Sequence, residues 1–231
     1  MDEDQGSVLV RQFFPGTAGS YDRIVNLCTL GFDRAWKNRM LEKIPEGSTR
    51  IMDQACGTGI LTLRIAEKFP DASIVGVDVT EEYLLVAKEK AARLKLSNLH
   101  FVLGAAEDVL LHQSFDCIIS SYLAKYARIG SLIPIIRKML RPDGVVIMHD
   151  FTYPANRAFS YLWRLYFRLL QSVGARKYPQ WRAAFEGLPG LLRETRWTDE
   201  LEKSLQKNDF SKIAVEYLTF GTSAIITARR I

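Results

Sequence analysis

The chain has few cysteines, and their spacing does not suit a metal site. Its 231 residues include three, Cys28, Cys56 and Cys117, an odd number without the paired spacing of zinc ligands. Cys56 and Cys117 lie in apolar runs, which predicts buried thiols in a reducing compartment. The polar, acidic residues 1–5 do not resemble a signal peptide. We therefore expect no metal and a cytoplasmic location.

The sequence also lacks a hydrophobic run of membrane-spanning length, any internal repeat and any linker-like segment. Hydrophobic residues make up 48% of the chain and charged residues 25%, which is the balance of an ordinary globular protein. A chain of 231 residues is long enough for one well-buried α/β domain. The net charge is +5, and much of the excess lies between Arg157 and Arg196.

One stretch organises the rest of the chain. Residues 50–55 read as a short buried strand, and Gly57 and Gly59 then allow a tight turn with no Cβ facing a ligand. Residues 60–69 have apolar positions at helical spacing, and residues 74–78 form a second apolar strand that ends in Asp78. Strand, glycine turn, helix, strand and acid are typical of the nucleotide-binding half of a Rossmann-like sheet.

The glycine pattern lacks the third glycine of a dinucleotide site. Thr62 occupies that position, which disfavours close packing around a pyrophosphate. Asp53 precedes the glycines and suits a ligand with a cationic end, while Asp78 suits the two hydroxyls of a ribose. The run at residues 53–59 resembles the first motif of class I methyltransferases that use S-adenosylmethionine (SAM), which has a ribose, an amino group and a sulfonium.

The remaining pattern completes an α/β fold. Residues 1–19 are expected to be mobile, and residues 21–44 to form a helix broken near Gly31. Helices are also predicted from Thr80 to Leu94, over 131–140, over 155–173 and over 197–207. Further strands are predicted over 99–103, 115–121, 145–150, 213–218 and 223–228, with a turn at 141–144.

We therefore predict a Rossmann-like class I methyltransferase fold, with a seven-stranded, mostly parallel sheet, helices on both faces and an N-terminal helical lid. Residues 1–231 would form one domain. Its parts would be lid helices at 1–45, a SAM-binding core at 46–154, a helical segment capping the acceptor at 155–210, and closing strands at 211–231.

Several motifs resemble the UbiE/MenG-type quinone C-methyltransferases, a branch of the class I SAM-dependent methyltransferases. Tyr21-Asp22 with Gly31 and Trp36 is similar to the lid helix of that family. The Ala-Cys-Gly-Thr-Gly run at 55–59 and Asp78 are similar to its SAM motifs. The Ala-Ala-Glu run at 105–107, the Leu-Arg-Pro-Asp-Gly turn at 140–144 and residues 218–221 continue the likeness nearly to the end of the chain.

This resemblance implies the cofactor SAM, with S-adenosylhomocysteine as its product, and a small, apolar acceptor. The residues expected to bind the cofactor are Tyr21, Asp53, Ala55, Gly57, Thr58, Gly59, Asp78, Val79, Ala105, Ala106, Glu107 and Ser121. The expected catalytic residues are Lys125, which would hold a phenolate, together with Tyr122 and His149. Asp150 and Tyr153 are further candidates for a base.

Two departures bear on the acceptor. After the fourth strand the quinone family reads Ser-Phe-Gly-Leu-Arg-Asn, whereas residues 121–126 read Ser-Tyr-Leu-Ala-Lys-Tyr. The Arg-Asn pair of the family is thus replaced by Lys125 and Tyr126. The closing His-Arg-Gly of the family is also absent. Both changes concern the acceptor and not SAM, and the exchange of the family's arginine for Lys125 suggests an acceptor of altered shape.

Other functions remain open at this point. An O-, N- or S-methyltransferase for a different small molecule is the nearest alternative, and a SAM-binding protein without activity is another. An RNA or DNA amino-methyltransferase would carry an Asn/Asp-Pro-Pro-Tyr motif where residues 120–123 read Ser-Ser-Tyr-Leu, so no nucleic acid partner is expected. A nicotinamide oxidoreductase is disfavoured by Thr62 and by the absence of a Tyr-x-x-x-Lys pair in the expected helix.

The predicted helix at 155–173 suggests a further partner. Its aromatic and leucine residues would form a broad apolar face lining the acceptor pocket, with Arg157, Arg164 and Arg168 on the opposite side and Arg176 and Lys177 beyond its end. Such a basic row can rest on anionic lipid headgroups. Peripheral contact with the inner face of a membrane is therefore expected, while the oligomeric state, including a homodimer, stays open.

Overall fold

The computed structural model describes residues 5–112 and 114–231, and within these residues it contains one mixed sheet of seven strands. The strands are β1 (Arg50–Gln54), β2 (Ser73–Asp78), β3 (Leu99–Leu103), β4 (Phe115–Ser121), β5 (Leu140–Phe151), β6 (Phe210–Leu218) and β7 (Ser223–Arg230). Their order is β3-β2-β1-β4-β5-β7-β6. The first five strands pair in parallel, and β7 is antiparallel to both β5 and β6. The predicted fold class is confirmed.

Helices cover both faces of this sheet. They are α1 (Gln5–Phe13), α2 (Tyr21–Cys28), α3 (Phe32–Glu42), α4 (Ile60–Lys68), α5 (Glu81–Arg93), α6 (Ile129–Met139), α7 (Arg157–Leu169), α8 (Ala175–Lys177), α9 (Arg182–Glu194) and α10 (Trp197–Lys207). Leu132 of α6 and Leu201 of α10 lie in a buried cluster on one face of the sheet. Met40 of α3 and Ile65 of α4 lie in a second buried cluster on the other face. Burial of these apolar faces against the sheet holds the layers together.

The predicted boundaries are close to the observed ones where the apolar pattern is continuous. The strand predictions for β3 and β4 match their observed ends, and the predicted break near Gly31 falls between α2 and α3, where Gly31 has a φ of 80°. The turn predicted at 141–144 lies inside β5, whose register with β4 shifts between Phe115 and Cys117. The helix predicted over 155–173 ends at Leu169 and continues as a π-helical turn, Leu170–Gly174.

The prediction that residues 1–19 are mobile was wrong for the part that the structure describes; residues 1–4 lie outside it. Residues Gln5–Phe13 form α1, and the Phe13 side chain is only 3% exposed. Phe13 packs against Gly187 of α9, where an added Cβ would lie 2.4 Å from Phe13 Cζ. The aromatic pair Phe13-Phe14 therefore has a buried partner, which the local sequence does not reveal.

Helix α9 was not predicted. It contains Pro189 in its interior, and a proline there removes a helical hydrogen bond. Its buried residues Ala184, Phe185 and Leu192 face inward, and Phe185 belongs to a cluster with Phe13 and Trp181. Tertiary packing therefore stabilises a helix that the local sequence disfavours.

The described residues contain no helix that is long and apolar enough to cross a membrane.

We expect Gly187→Ala to loosen α1 and Gly190→Ala to leave it in place. Both glycines lie in α9, but an added Cβ at Gly190 meets nothing within 4 Å, whereas at Gly187 it collides with Phe13. Overpacking of this kind costs about 1–3 kcal/mol. Trypsin cleavage at the exposed Arg11 of α1 should therefore accelerate about tenfold in Gly187→Ala and stay at the wild-type rate in Gly190→Ala. Equal cleavage of the two variants would contradict the proposed seating of α1.

Candidate active site

A cavity of about 760 Å³ opens at the carboxyl ends of β1, β2 and β4. Parallel α/β sheets bind their ligands at this edge, and the volume lies in the range of small-molecule sites. The cavity runs from Gly57 and Asp78 past Tyr122 and Lys125 to Trp163 of α7. One continuous space thus reaches both the predicted cofactor turn and the predicted acceptor residues.

The glycine turn after β1 is held by Asp78. Asp78 Oδ2 accepts a hydrogen bond from the Gly57 backbone N–H at 2.8 Å, and Oδ1 accepts one from the Thr80 N–H at 2.8 Å. Gly57 and Gly59 have φ values of 56° and 82°, which favour glycine because it lacks a Cβ. Burial raises the pKa of Asp78, while these backbone hydrogen bonds oppose the rise. The Asp78 carboxylate lines the cavity.

Most of the residues expected to bind the cofactor line this cavity. They are Tyr21, Ala55, Gly57, Asp78, Val79, Ala105, Ala106, Glu107 and Ser121. Glu107 is fixed by its Oε1 atom, which accepts a hydrogen bond from the Arg128 backbone N–H at 3.0 Å.

Three expected cofactor residues do not line the cavity: Asp53, Thr58 and Gly59. Asp53 is 1% exposed and accepts a hydrogen bond from Thr62 Oγ1 at 2.6 Å. Burial raises the pKa of Asp53 to about 7. The interpretation of Asp53 as a direct partner for a cationic ligand is therefore not supported by its position beneath the turn.

Thr58 points to helix α2 instead of the cavity. Its Oγ1 donates to Asp22 Oδ1 of α2 at 2.5 Å. Lys90 of α5 forms an ion pair with the same Asp22 side chain and donates to the Thr58 carbonyl at 3.0 Å. Thr58 and Asp22 therefore connect the glycine turn to α2.

Aromatic side chains close the cavity above the glycine turn. The Tyr21 ring lies 5.0 Å from the Tyr83 ring and 5.8 Å from the Trp181 ring, and Phe14 contacts all three within 6.3 Å. Tyr83 is fixed by a 2.6 Å hydrogen bond between its hydroxyl and Thr17 Oγ1. This aromatic roof excludes water from the space next to the glycine turn.

Lys125 is buried, and it carries an ion pair. Its side chain is 3% exposed, and Nζ lies 2.7 Å from Asp150 Oδ1 and 2.9 Å from the carbonyl oxygen of Tyr122. Burial lowers the pKa of Lys125, and the Asp150 carboxylate opposes that shift. An ammonium has three N–H donors, and two are used here. Nζ also lies 4.4 Å from the centroid of the Tyr126 ring, and Lys125 lines the cavity.

Tyr122 lines the cavity and is held from several sides. Its ring stacks on Phe151 at 4.7 Å, and its hydroxyl donates to Asp33 Oδ1 at 2.6 Å. Lys37 Nζ lies 4.6 Å from the ring centroid. Burial raises the pKa of Tyr122, and the nearby Asp33 carboxylate raises it further. The phenol is therefore neutral in the resting protein.

His149, predicted as a catalytic residue, lies away from the cavity. His149 is fully buried and does not line the cavity. Its Nδ1 lies 3.0 Å from Ser121 Oγ and its Nε2 lies 2.6 Å from Ser223 Oγ. Burial, followed by the charges of Lys37 and Lys125, lowers the pKa of His149 well below its ordinary value. Both ring nitrogens are thus occupied within the protein.

The remaining base candidates also lie outside the cavity lining. Asp150 is fully buried and holds Lys125, while the Tyr153 ring packs against Trp163 at 5.2 Å. Sequence reasoning missed Asp33 and Lys37, a buried ion pair on α3 behind Tyr122. Their spacing of four residues along a helix was a usable signal, but it gave no indication of burial.

The cavity has the features that bind SAM. The carboxylate at the end of β2 suits the hydroxyls of a ribose. The glycines of the turn allow the backbone to approach a ligand closely, and the aromatic roof suits an adenine. The polar groups around Tyr122 and Lys125 lie further along the same space.

Comparisons with known proteins agree with this geometry. A model of the methyltransferase domain matches residues 45–209. The chain is 26% identical over 228 residues to the ubiquinone/menaquinone biosynthesis C-methyltransferase UbiE of Dinoroseobacter shibae, covering 96% of this chain and 91% of the relative. It is 23% identical over 220 residues to a demethylmenaquinone methyltransferase of Staphylococcus aureus, covering 94% of this chain and 90% of the relative.

Solved structures share the fold. A geranyl diphosphate C-methyltransferase from Streptomyces coelicolor has a TM-score of 0.61 at 12% identity, covering 86% of this chain and 79% of that chain. A phosphoethanolamine N-methyltransferase from Haemonchus contortus has a TM-score of 0.61 at 16% identity, covering 85% and 52%. Because the domain model covers most of the sequence, this chain belongs to the methyltransferase domain family, and it is a SAM-dependent methyltransferase.

Proposed function

We propose that the protein transfers the methyl group of SAM to an apolar, hydroxylated ring, a quinol or a phenol, at carbon or oxygen. The observation that carries this proposal is the single cavity that joins the glycine turn to Tyr122, Lys125 and the aromatic residues of α7. The relatives, a ubiquinone/menaquinone biosynthesis C-methyltransferase and a demethylmenaquinone methyltransferase, support the same acceptor class.

In this proposal, residues at the glycine turn hold the cofactor. Asp78 would accept the ribose hydroxyls, and Ala105 and Ala106 leave room for the adenine beside Glu107. When bound, SAM supplies an electrophilic methyl group on a sulfonium. The chain itself has to orient the acceptor and exclude water, which are the main contributions to such a displacement.

Lys125 would stabilise negative charge on the acceptor oxygen. A phenolate is a stronger nucleophile than a phenol, and a nearby ammonium favours the charged form. Because Asp150 pairs with Lys125 at 2.7 Å, the cation is fixed in place and only its third N–H remains to meet the oxygen. This geometry supports a role in orienting one hydroxyl and does not support a role as a free base.

The acceptor can be tested directly. Purified protein is incubated with methyl-labelled SAM and either 1,4-naphthoquinol or a host extract, and products are identified by mass spectrometry. A labelled ring product is expected. A labelled amine or thiol without a ring would overturn the acceptor class and leave only the methyltransferase assignment.

We expect Asp78→Ala to weaken SAM binding about ten- to a hundredfold. Removal of a hydrogen bond to a charged acceptor costs about 1.5–3 kcal/mol, and the variant also frees the N–H of Gly57 that Asp78 holds. Isothermal calorimetry measures the effect, with the exposed Asp71→Ala as control and NAD as a ligand that should not bind. Unchanged SAM affinity in Asp78→Ala would remove Asp78 from the site.

We expect Lys125→Met to lower turnover about a hundredfold or more while SAM affinity stays within about twofold. Loss of a preorganised charge at a developing oxyanion has effects of this size. Because the single change leaves Asp150 buried and unpaired, the double variant Lys125→Met/Asp150→Asn is measured beside it. The exposed Lys138→Met serves as control. Full turnover in both Lys125 variants would show that Lys125 has no part in the reaction.

A membrane contact is the second part of the proposal. The structure differs from the sequence prediction in part here, because Leu169 of α7, expected on the pocket-lining face, does not line the cavity and is 57% exposed, while Leu162 lines the cavity and is also 57% exposed. With Tyr161 and Leu165 they form an exposed apolar stripe next to the exposed row Arg157, Arg164 and Arg168. Apolar and basic residues side by side suit an anionic lipid surface.

The cavity mouth lies beside this stripe. Leu30, Phe32 and Leu162 line the cavity and are also exposed, by 68%, 44% and 57%. An apolar acceptor dissolved in a bilayer would therefore meet the mouth without crossing water. This arrangement supports an anionic membrane as the occupant of the α7 surface.

We expect salt-sensitive binding to vesicles that contain anionic lipid, and weaker binding to neutral ones. Each basic residue at such a surface contributes about 1 kcal/mol, so replacing Arg157, Arg164 and Arg168 by Gln should weaken partitioning about a hundredfold. Vesicle flotation at low and high salt measures this, with the exposed Lys88, Lys203 and Lys207 replaced by Gln as the charge-matched control. Equal recovery with neutral and anionic vesicles would refute the contact.

A further inference from the structure

Tyr122 has an unusual backbone conformation at the point where β4 ends. Its φ is 71°, in the left-handed region that bulky residues rarely adopt. The conformation directs its hydroxyl to Asp33 of α3, with an oxygen–oxygen distance of 2.6 Å. Strain of this kind persists only where several surrounding contacts hold the residue in place. Here Phe151 stacks on the Tyr122 ring, and Lys37 Nζ lies over the same ring.

Asp33 lies behind Tyr122 and outside the cavity lining. It is 5% exposed and forms an ion pair with Lys37, which is 2% exposed. Tyr122 lines the cavity and hydrogen-bonds to this carboxylate. It therefore connects the space for the methyl acceptor to the buried Asp33 carboxylate, which the methyl acceptor itself would not touch.

The other groups near Tyr122 do not offer a lone pair to the cavity. Lys125 is paired with Asp150, and both ring nitrogens of His149 face serine hydroxyls. Tyr126 has the Lys125 ammonium 4.4 Å from its ring centroid, and burial raises the pKa of its phenol, so the phenol is neutral. Among the described residues around Lys125, the pair formed by Tyr122 and Asp33 has the arrangement that general base catalysis needs.

We propose that Tyr122 and Asp33 remove the proton of the acceptor hydroxyl as a relay. The acceptor O–H bond breaks as a new O–H bond forms at Tyr122 Oη. At the same time the original Tyr122 O–H bond breaks and a bond forms between that proton and Asp33 Oδ1. The negative charge moves from the Asp33 carboxylate to the acceptor oxygen, where the third N–H of Lys125 can meet it. Tyr122 ends neutral, as it began.

The relay rests on the proposed ring acceptor, and two probes separate the two ideas. The probe 1,4-naphthoquinol is un-ionised at neutral pH and needs a base, whereas 2-hydroxy-1,4-naphthoquinone is already an enolate and does not. Tyr122→Phe and Asp33→Asn should lower kcat with the naphthoquinol about a hundredfold or more and leave kcat with the enolate within about threefold. Calorimetry with the enolate probe in the absence of SAM should show wild-type affinity, which confirms an intact pocket.

Controls distinguish the relay from a structural effect. Because Asp33→Asn leaves Lys37 buried without its partner, the double variant Asp33→Asn/Lys37→Met is measured as well, with thermal unfolding as the check on folding. The exposed Tyr217→Phe and Asp143→Asn are matched substitutions outside the site. Equal losses on both probes, or no loss on either, would overturn the relay and leave the ring acceptor standing. A wild-type protein that methylates neither probe would overturn the ring acceptor and the relay with it.

Discussion

The buried ion pair between Lys125 and Asp150 fixes the segment on which the active site depends. The two Asp150 oxygens accept from Lys125 Nζ at 2.7 Å, from the Lys125 backbone N–H at 3.0 Å and from the Phe151 N–H at 2.7 Å. One carboxylate thus ties the turn after β4 to the end of β5. Removal of one member of such a pair costs about 3–5 kcal/mol, because the other charge is left buried. The position of the active-site segment therefore depends on this ion pair.

The position of Tyr122 follows from this pair. The Lys125 ammonium donates to the Tyr122 carbonyl at 2.9 Å, and Phe151, the neighbour of Asp150, stacks on the Tyr122 ring at 4.7 Å. With these contacts in place, the left-handed backbone at Tyr122 becomes tolerable and its hydroxyl meets Asp33. Helix α3 is thereby joined to the carboxyl end of the sheet by a polar contact in addition to apolar packing.

The sequence predicted those parts of the fold that depend on local pattern. Short, mostly apolar runs located β3 and β4 to the residue. Gly31 and the Gly57-Gly59 turn were recognised because glycine has a conformational freedom that other residues lack. Helix α1 and helix α9 were missed because their burial depends on partners far along the chain, such as Phe13 with Gly187. Pro189 also made α9 look unlike a helix. These are cases in which tertiary packing overrides local preference.

The candidate site was also predictable only where it depends on local sequence. The place of Ala55, Gly57 and Asp78 at the cavity follows from the glycine turn and could be expected from sequence, whereas Thr58 and Gly59 of the same turn do not line it. The burial of Lys125 could not, because Asp150 lies 25 residues further along the chain. Asp53 and His149 were selected by type and by place along a strand, but their side chains are enclosed by Thr62 in one case and by Ser121 and Ser223 in the other. Side-chain direction within a sheet decides such cases, and a single sequence specifies it weakly.

The charge balance around Tyr122 limits which acceptors can bind there. Lys125 is matched by Asp150 and Lys37 by Asp33, so each cation already faces a carboxylate within the protein. Only one acceptor oxygen can be met by the third N–H of Lys125, so a phosphate or carboxylate carried to this point in addition to that oxygen would bury a further charge without a matching cation, which is costly in a low-dielectric space. A neutral ring with one hydroxyl would bury no such charge, and it would complete hydrogen bonds that Lys125 and Tyr122 otherwise leave open. The quinone family has an arginine-asparagine pair where this chain has Lys125 and Tyr126. The exchange changes the geometry of acceptor recognition, because a guanidinium is a planar fork and an ammonium is a point charge. A neutral hydroxylated acceptor still fits.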